Sequence, residues 1–322
     1  MLNHIISAIL SILSNCEEKQ LGHEVGDAFE IICLLPTTYL LSTAKAMPRT
    51  ILITGATGQQ GGATLRALAE SIRLSEGLSI RIRILALTRD ASSEKANTSL
   101  SIPGVQVVPG DLNDKSSIDK IFELYAIDSV FSVQDIFQGN EVEQGTTLVD
   151  VASQSSSSLR DQTSDRGAPE ISIIPITDVL HHPPTFSLLW NFYWPPYRLS
   201  MGTKWNPNQR FKHIATSDIG QAAAEILIAG SQEKKFRKRI IYLTGDAHTP
   251  DEIRKIFKEG RNVSWEDSEQ DVEVGTELTN ALNTINVHPF EGTPEETRKL
   301  FPWVKDLPIW LDTEFHAGLI IG

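Results

Sequence analysis

The stretch Thr50-Ile-Leu-Ile-Thr-Gly-Ala-Thr-Gly-Gln-Gln-Gly-Gly62 decides the predicted fold, because a short apolar run leads directly into a glycine-rich turn. The apolar run 51–53 is typical of a parallel strand that is buried on both faces. The helical pattern from Ala63 to Glu70 follows the turn. Strand, glycine turn and helix in this order predict a loop that binds the phosphates of a dinucleotide, and the alternative is a tight turn without a ligand.

The glycines of this loop are spaced Gly-x-x-Gly-x-x-Gly, a variant of the dinucleotide fingerprint. Glycine lets the backbone turn sharply and approach a pyrophosphate, and the amide groups at the start of the helix would face that anion. The residues predicted to hold the pyrophosphate are Gly55, Thr57, Gly58, Gln59, Gln60 and Gly61.

The composition is that of a globular protein with one or two domains, since 322 residues with 40% apolar content can bury a substantial core. A formal net charge of -12 argues against direct binding to nucleic acid through phosphate neutralisation. Both cysteines, Cys16 and Cys33, precede the glycine loop, so neither a disulfide framework nor a zinc site is predicted for the main domain. These features predict a cytoplasmic protein without a membrane span, with the nucleus as a second compartment.

Strand and helix patterns alternate from Met47 onward, which predicts an α/β fold with a Rossmann-type doubly wound parallel sheet. Four further strands are predicted at Arg81 to Thr88, Val105 to Val108, Asp128 to Val133 and Ile171 to Ile176. Helices are predicted at Ala63 to Leu74, Asp114 to Tyr125, with Asn113 or Asp114 as its cap, and Glu141 to Ser153.

The chain is predicted to consist of three segments. Residues 1–46 form an appended N-terminal segment that is poorly ordered, with a targeting or anchoring segment as the alternative. Residues 47–200 form the NAD(P)-binding Rossmann domain, in which the stretch 152–200 is irregular and the polar run Ser153 to Gly167 is a mobile loop. Residues 201–322 add a small C-terminal α/β subdomain that is interleaved with the Rossmann sheet.

Within this C-terminal part the pattern becomes regular again after residue 211. Ser217 or Asp218 is predicted to open a helix through Ile228, and a strand follows at Ile240 to Thr244. A helix capped by Thr249 is predicted to run to Lys258, since proline and acidic residues fill its first turn. Pro302 to Leu311 is predicted to form a short helix whose tryptophans serve packing.

The end of the second strand, Thr88-Arg89-Asp90, is the place where a Rossmann-type fold meets the adenosine ribose. Arg89 would pair with a 2′-phosphate and favour NADP. An acidic residue would instead bind a free 2′-hydroxyl, so Asp90 keeps NAD open as the alternative. A third interpretation is that Arg89 only ends a strand in solvent.

The ends of the third and fourth strands complete the predicted cofactor site. In Gly110-Asp111-Leu112, Asp111 can reach the adenine edge, with Leu112 beside it, and Asp111 can also cap the following helix. The residues Ser132, Val133 and Gln134 would flank the nicotinamide side.

Five motifs in this order resemble the NmrA-like family, an atypical branch of the short-chain dehydrogenase/reductases. They are the loop Thr54 to Gly62, Leu-Thr-Arg-Asp at 87–90, Gly-Asp-Leu-Asn-Asp at 110–114, Val-Phe-Ser-Val-Gln at 130–134 and Ile-Ala-Thr-Ser-Asp-Ile-Gly at 214–220. The likeness covers residues 49 to about 151 well and 211 to about 315 less closely. It implies a Rossmann domain with a small C-terminal subdomain, NADP preference, and often a redox-sensing or regulatory role through a partner such as a transcription factor. Some relatives are reductases.

The chain departs from that pattern in its catalytic residues. A short-chain reductase uses a tyrosine as proton donor and a lysine four residues later, and no Tyr-x-x-x-Lys occurs in this sequence. His181-His182 has no accompanying carboxylate or cysteine motif, so no metal site is predicted, and His213 is more typical of a packed or surface residue than of a base. The catalytic residues are therefore unassigned.

The leading hypothesis is an NADP-binding NmrA-like protein with a redox-sensing or regulatory role and without short-chain-reductase chemistry. The alternative is an NADP-dependent carbonyl or quinone-type reductase with a non-standard proton donor. A third possibility is a family member that binds no cofactor well.

Overall fold

A computed structural model describes residues 48–75, 82–134, 140–162, 172–175, 180–181, 208–230, 233–236, 240–261 and 291–315. All of these lie in one compact unit, Pro48–Gly322. The appended segment 1–46 lies outside the described residues, as do both cysteines, His182 and most of the irregular stretch 152–200. The predicted boundaries 47–200 and 201–322 stay predictions.

A five-stranded sheet forms the centre of this unit. Its strands are β1 (Arg49–Ile53), β2 (Ile82–Thr88), β3 (Val105–Pro109), β4 (Ile127–Ser132) and β5 (Ser172–Pro175). The order is β3-β2-β1-β4-β5, and every neighbouring pair is parallel. Because successive strands are added on opposite sides of β1, the switch point lies between β1 and β4. The predicted Rossmann-type parallel sheet is confirmed.

The helices are α1 (Gln59–Leu74), α2 (Glu94–Leu100), α3 (Lys115–Leu124), α4 (Glu141–Gln162), α5 (Thr216–Ala229), α6 (Pro250–Arg261), α7 (Pro294–Leu300) and α8 (Leu307–Thr313). Two pairs of short strands complete the described structure. Strand β6 (Leu180–His181) pairs in parallel with β8 (Ile241–Tyr242), and β7 (Phe211–His213) pairs antiparallel with β9 (Asp246–His248).

The sheet is covered on both faces, because successive side chains of a strand point to opposite sides. Ile51 and Ile53 of β1 belong to a core that also contains Leu65 and Leu68 of α1 and several side chains of α5. Leu52 belongs to a second core, which it shares with side chains of α3 and α4. This arrangement explains why β1 is apolar at every central position.

Helix α5 joins the C-terminal part of the chain to α1, the helix that follows the first strand of the sheet. A Cβ on Gly220 would lie 2.5 Å from the carbonyl carbon of Ala63, so only glycine permits this approach between the two helices. At the other end of α5, Arg49 donates to the carbonyl oxygens of Leu227 and Ile228 at 2.7 and 3.0 Å. The amino end of α5 therefore lies next to the amino end of α1, above the carboxyl edge of the sheet.

The N-terminus of α5 differs from the prediction. The helix begins at Thr216 after the N-cap Ala215, so neither Ser217 nor Asp218 is the cap. Asp218 is 0% exposed and pairs with Lys305, both through the lysine side chain and through its backbone amide at 2.7 Å. Ser217 donates to Glu314 at 2.6 Å. These side chains bind the segment 305–314 instead of their own helix, which no local pattern could indicate.

Three other elements differ in extent. Helix α4 continues to Gln162, so the beginning of the polar run Ser153 to Gly167 is helical and its prediction as a loop is wrong. The buried Leu148, Val151 and Ala152 anchor this helix, and adding residues to an existing helix costs little. Strand β8 is shorter than predicted. Helix α8 begins only at Leu307, after its cap Asp306.

Helix α2 was not predicted, because its sequence Glu-Lys-Ala-Asn-Thr-Ser-Leu has no apolar stripe. Thr249 caps α6 as predicted. The Glu252 amide donates to the Thr249 hydroxyl, and the Thr249 amide donates to the Glu252 carboxylate. Within the described ranges, no helix is both long and apolar enough to cross a membrane.

Candidate dinucleotide-binding site

The glycine loop after β1 has a backbone path that side chains would obstruct. Gly55 has a φ of +57°, and a Cβ there would lie 3.2 Å from Cβ of Val133. A Cβ on Gly61 would lie 2.2 Å from the carbonyl oxygen of Gly55, which is far inside van der Waals contact. The first and third glycines are therefore required by the turn itself, in which the start of α1 folds back against the end of β1.

Helix α1 begins at this loop without a side-chain cap, as α5 does. Its N-cap is Gly58, its first turn has no acidic residue, and no side chain in the described part of the protein caps it. Side chains cap α3, α7 and α8. Gly58 and Gln59 are exposed. An exposed helix N-terminus with a glycine cap offers amide groups and the positive end of the helix dipole to an anion.

The loop is attached to the end of β4 by Thr54, which is fully buried. The Thr54 hydroxyl donates to the carbonyl oxygen of Val133 at 2.9 Å and accepts from the Val133 amide at 2.7 Å. The Thr54 amide donates to the carbonyl oxygen of Phe131 at 2.9 Å. These bonds hold β1 and β4 together at the switch point, where the phosphate loop and the predicted nicotinamide side meet.

The three residues predicted to flank the nicotinamide have different surroundings. Ser132 is buried, and its hydroxyl accepts a hydrogen bond from the Gln134 side chain. Val133 is half-buried and packs beside Gly55. Gln134 is half-buried and lies next to Gly145 in the second turn of α4. Ser132 and Val133 thus support the end of β4 through a hydrogen bond and packing, while Gln134 lies between β4 and α4.

At the end of β2, Arg89 and Asp90 are both exposed but the carboxylate of Asp90 is already engaged. It accepts hydrogen bonds from the Ser92 hydroxyl at 2.6 Å and from the Ser92 amide at 2.8 Å. These bonds, the one from the hydroxyl first, lower the pKa of Asp90. The carboxylate that could select NAD therefore takes part in a turn of its own loop.

Asp111 makes a similar local turn after β3. Its carboxylate accepts from the Asn113 amide at 3.0 Å, and its own amide donates to the Ser117 hydroxyl at 3.1 Å. The cap of α3 is Asp114, which accepts from the Ser116 amide at 3.0 Å. Of the predicted caps, Asp114 is confirmed, and Asp111 does not cap the helix. Leu112 packs against the core between the sheet, α3 and α4.

The parallel register places all of these loops at one edge of the sheet. Ile53 pairs with Ala86 of β2 and Phe131 of β4, and Thr88 pairs with Pro109 of β3. The loops after β1, β2, β3 and β4 consequently follow one another along the carboxyl edge, where ligands of doubly wound folds bind. The structure brings the predicted residues together at this edge, and their contacts with a cofactor stay predictions.

The histidines of the described chain belong to another region. His213 is 0% exposed, and its Nε2 lies 3.2 Å from Nδ1 of His248. Burial, followed by the neighbouring His248, lowers the pKa of His213 well below its ordinary value. His213 is therefore a neutral, packed residue, as predicted. Across the described ranges, no group of three or more histidine, cysteine, aspartate or glutamate side chains could hold a metal ion.

Residues 47–156 match a family model described as the NmrA-like family. Over this part, about a third of its length, the chain is similar to the NmrA-like family. The match begins just before β1 and ends within α4, so it contains every loop of the candidate site and confirms the predicted resemblance. No curated protein matches the chain.

Several solved structures share the fold of this chain. NmrA, described as a negative transcriptional regulator, in complex with NAD is 18% identical, with a TM-score of 0.59 over 84% of this chain and 96% of that chain. NmrA in complex with NADP is 17% identical, with a TM-score of 0.58 over 84% and 96%. The Citrobacter sp. triphenylmethane reductase complexed with NADP(H) is 17% identical, with a TM-score of 0.55 over 83% and 100%. At these identities the likeness shows the fold.

Proposed function

We propose that this protein binds a nicotinamide dinucleotide, NADP in preference to NAD, and acts as a redox-sensing or regulatory protein without short-chain-reductase chemistry. The observation that carries the proposal is the contact of Gly61 with Gly55 at the uncapped N-terminus of α1. That geometry leaves an anion site at the switch point of the sheet. NmrA structures with NAD and with NADP share this fold and support a dinucleotide as the ligand.

The preference for NADP rests on the two charged residues after β2. Oδ1 of the Asp90 carboxylate accepts both hydrogen bonds from Ser92, so this oxygen is less available to a ribose hydroxyl. Arg89 is exposed at the same edge. A guanidinium group can bind a phosphate through two parallel hydrogen bonds, which makes Arg89 the residue for the 2′-phosphate.

The regulatory role rests on what the chain lacks for catalysis. No tyrosine of the sequence is followed four residues later by lysine. The buried His213 is a poor proton donor, because burial keeps it neutral. A protein that binds NADP without consuming it can pass the state of the cofactor to a protein partner, and a transcription factor is the partner class that the description of NmrA as a transcriptional regulator suggests.

Titration calorimetry of the full chain with NADP+ and with NADPH tests this role. A redox sensor must bind the two forms with different affinities, since a ligand shifts a conformational equilibrium only through differential affinity. We expect different dissociation constants for the two forms and no consumption of NADPH in the presence of aldehydes, ketones or quinones. Equal affinities would remove the sensing role and leave only a binding protein.

The second candidate is an NADP-dependent reductase with a non-standard proton donor. It is favoured by the triphenylmethane reductase among the proteins that share the fold. Sustained oxidation of NADPH with one member of a carbonyl, quinone and dye panel, abolished by a substitution in the glycine loop, would establish it in place of the regulatory role.

A further inference from the structure

A cluster of three amide side chains connects two of the loops at the carboxyl edge. Gln144 in the first turn of α4 donates from Nε2 to Oδ1 of Asn113 at 3.1 Å and to Oδ1 of Asn140 at 3.0 Å. The Asn140 side chain also donates to Oδ1 of Asn113. Asn113 follows β3 and Asn140 precedes α4, so the cluster joins the loop after β3 to the start of the helix that follows β4.

Gln144 is the anchor of this cluster, because it is only 3% exposed whereas Asn113 lies at the surface. A buried amide is costly unless its hydrogen-bonding groups are satisfied, and the side chain of a helix residue in a packed core has few rotamers. Gln144 therefore holds the Asn113 side chain in one place. Hydrogen bonds between two neutral groups are modest individually, so the effect depends on the two bonds acting together.

The cluster is connected through Asn113 to Asp111, a residue of the predicted cofactor site. The backbone amide of Asn113 donates to the Asp111 carboxylate at 3.0 Å, and the Asp111 amide donates to Ser117. The cluster holds the side chain of Asn113, and the backbone amide of the same residue holds the Asp111 carboxylate. That carboxylate follows β3 at the carboxyl edge of the sheet, where doubly wound folds bind their ligands.

We propose that Gln144 is a positioning residue for adenine recognition, acting through Asn113 on Asp111. The inference rests on the proposed function and deepens it: the Asp111 carboxylate accepts a hydrogen bond from the exocyclic amino group of adenine, and Gln144 keeps it in place to do so. The preference of the protein for adenine over a base without that amino group then depends on the amide cluster.

The test compares NADP with its deamino analogue, in which hypoxanthine replaces adenine, by calorimetric titration of the full chain. The wild-type protein binds NADP more tightly than deamino-NADP. Gln144→Leu lowers that ratio of affinities about three- to tenfold, because loss of one or two neutral hydrogen bonds has this magnitude. Affinity for the deamino analogue changes little, which a merely structural defect would not produce.

Two further variants control for folding. Asn113→Ala cuts the same connection at an exposed position, so it lowers the ratio without a substitution in the core. Gln154→Leu makes the same chemical change on the exposed side of the same helix, about 15 Å further along it, and retains the wild-type ratio.

The outcomes separate the inference from the function on which it rests. If folded Gln144→Leu and Asn113→Ala both retain the wild-type ratio of affinities for NADP and deamino-NADP, the role of the cluster is overturned, but the proposal of NADP binding is not. Equal affinity of the wild-type protein for NADP and deamino-NADP overturns it as well, because Asp111 then does not read the amino group. Absence of NADP binding to the wild-type protein overturns both the inference and the proposed function.

Discussion

Thr54 and Val133 share two hydrogen bonds at the switch point of the sheet. The Thr54 hydroxyl donates to the Val133 carbonyl oxygen at 2.9 Å and accepts from the Val133 amide at 2.7 Å. One side chain thereby binds both backbone groups of the residue that directly follows β4. Because Thr54 immediately precedes Gly55, these bonds also fix the start of the glycine loop. The relationship connects stability of the fold with the geometry of the candidate site.

Thr54→Val retains the shape of the side chain but leaves the amide and carbonyl groups of Val133 without these partners. A buried polar group without a partner costs about 1–3 kcal/mol. Because Val133 is only half-buried and water can replace part of the lost bonding, we expect a total loss of unfolding free energy of about that size. Chemical denaturation measures it. Thr54→Ser retains the hydroxyl and is the matched control. Equal losses in the two variants would show that the hydrogen bonds are unimportant here.

Gly61→Ala places a methyl group against the carbonyl oxygen of Gly55, so the loop must shift. We expect a destabilisation of about 1–3 kcal/mol and weaker NADP binding. Gly260→Ala is the control, because a Cβ there makes only ordinary contact with Leu311 and alanine favours a helix. Calorimetric NADP affinity that is unchanged in Gly61→Ala would contradict the assignment of this loop to the phosphates.

Arg89→Ala should weaken NADP binding about tenfold or more and affect NAD much less, because only NADP has the 2′-phosphate. Arg83→Ala removes an exposed arginine near the opposite end of the same strand and should leave the preference unchanged. The measurement is the ratio of the two dissociation constants. An equal loss for both cofactors in Arg89→Ala would refute the pairing of Arg89 with the 2′-phosphate.

Acid should destabilise the region around β7 and β9 through His213. Its pKa is lowered by burial in the folded state, so the unfolded state binds the proton more readily, and the stability contribution present above about pH 6.5 is lost as the pH falls. One proton corresponds to about 1.4 kcal/mol per pH unit. His213→Leu should flatten the dependence of unfolding free energy on pH between about 6.5 and 5. An unchanged slope would show that other groups determine it.

The part of the chain from β1 to α4 was predictable because its signals are local. The strand 49–53, the glycine turn and α1 are contiguous, and the alternation of strands and helices limits the topology to a few possibilities. The cap of α3 was also predictable from the sequence, since Asp114 lies directly before that helix.

The remainder depends on contacts between distant residues. Asp218 resembles an N-cap in the sequence, but its partner Lys305 is 87 positions away. The sequence contains one weak indication of the role of Gln144. This polar residue lies at helical spacing from the apolar residues Leu148 and Val151. A polar residue on the buried stripe of a helix indicates a specific partner, although not which one.

Titration calorimetry of the full chain with NADP+ and NAD+ tests the central claim most directly. The account predicts saturable binding of both, with NADP+ the tighter ligand, and a marked loss of NADP+ binding in Gly61→Ala with the fold intact. Absence of any binding at millimolar concentrations of either cofactor would contradict it, because the glycine loop would then be a turn without a ligand.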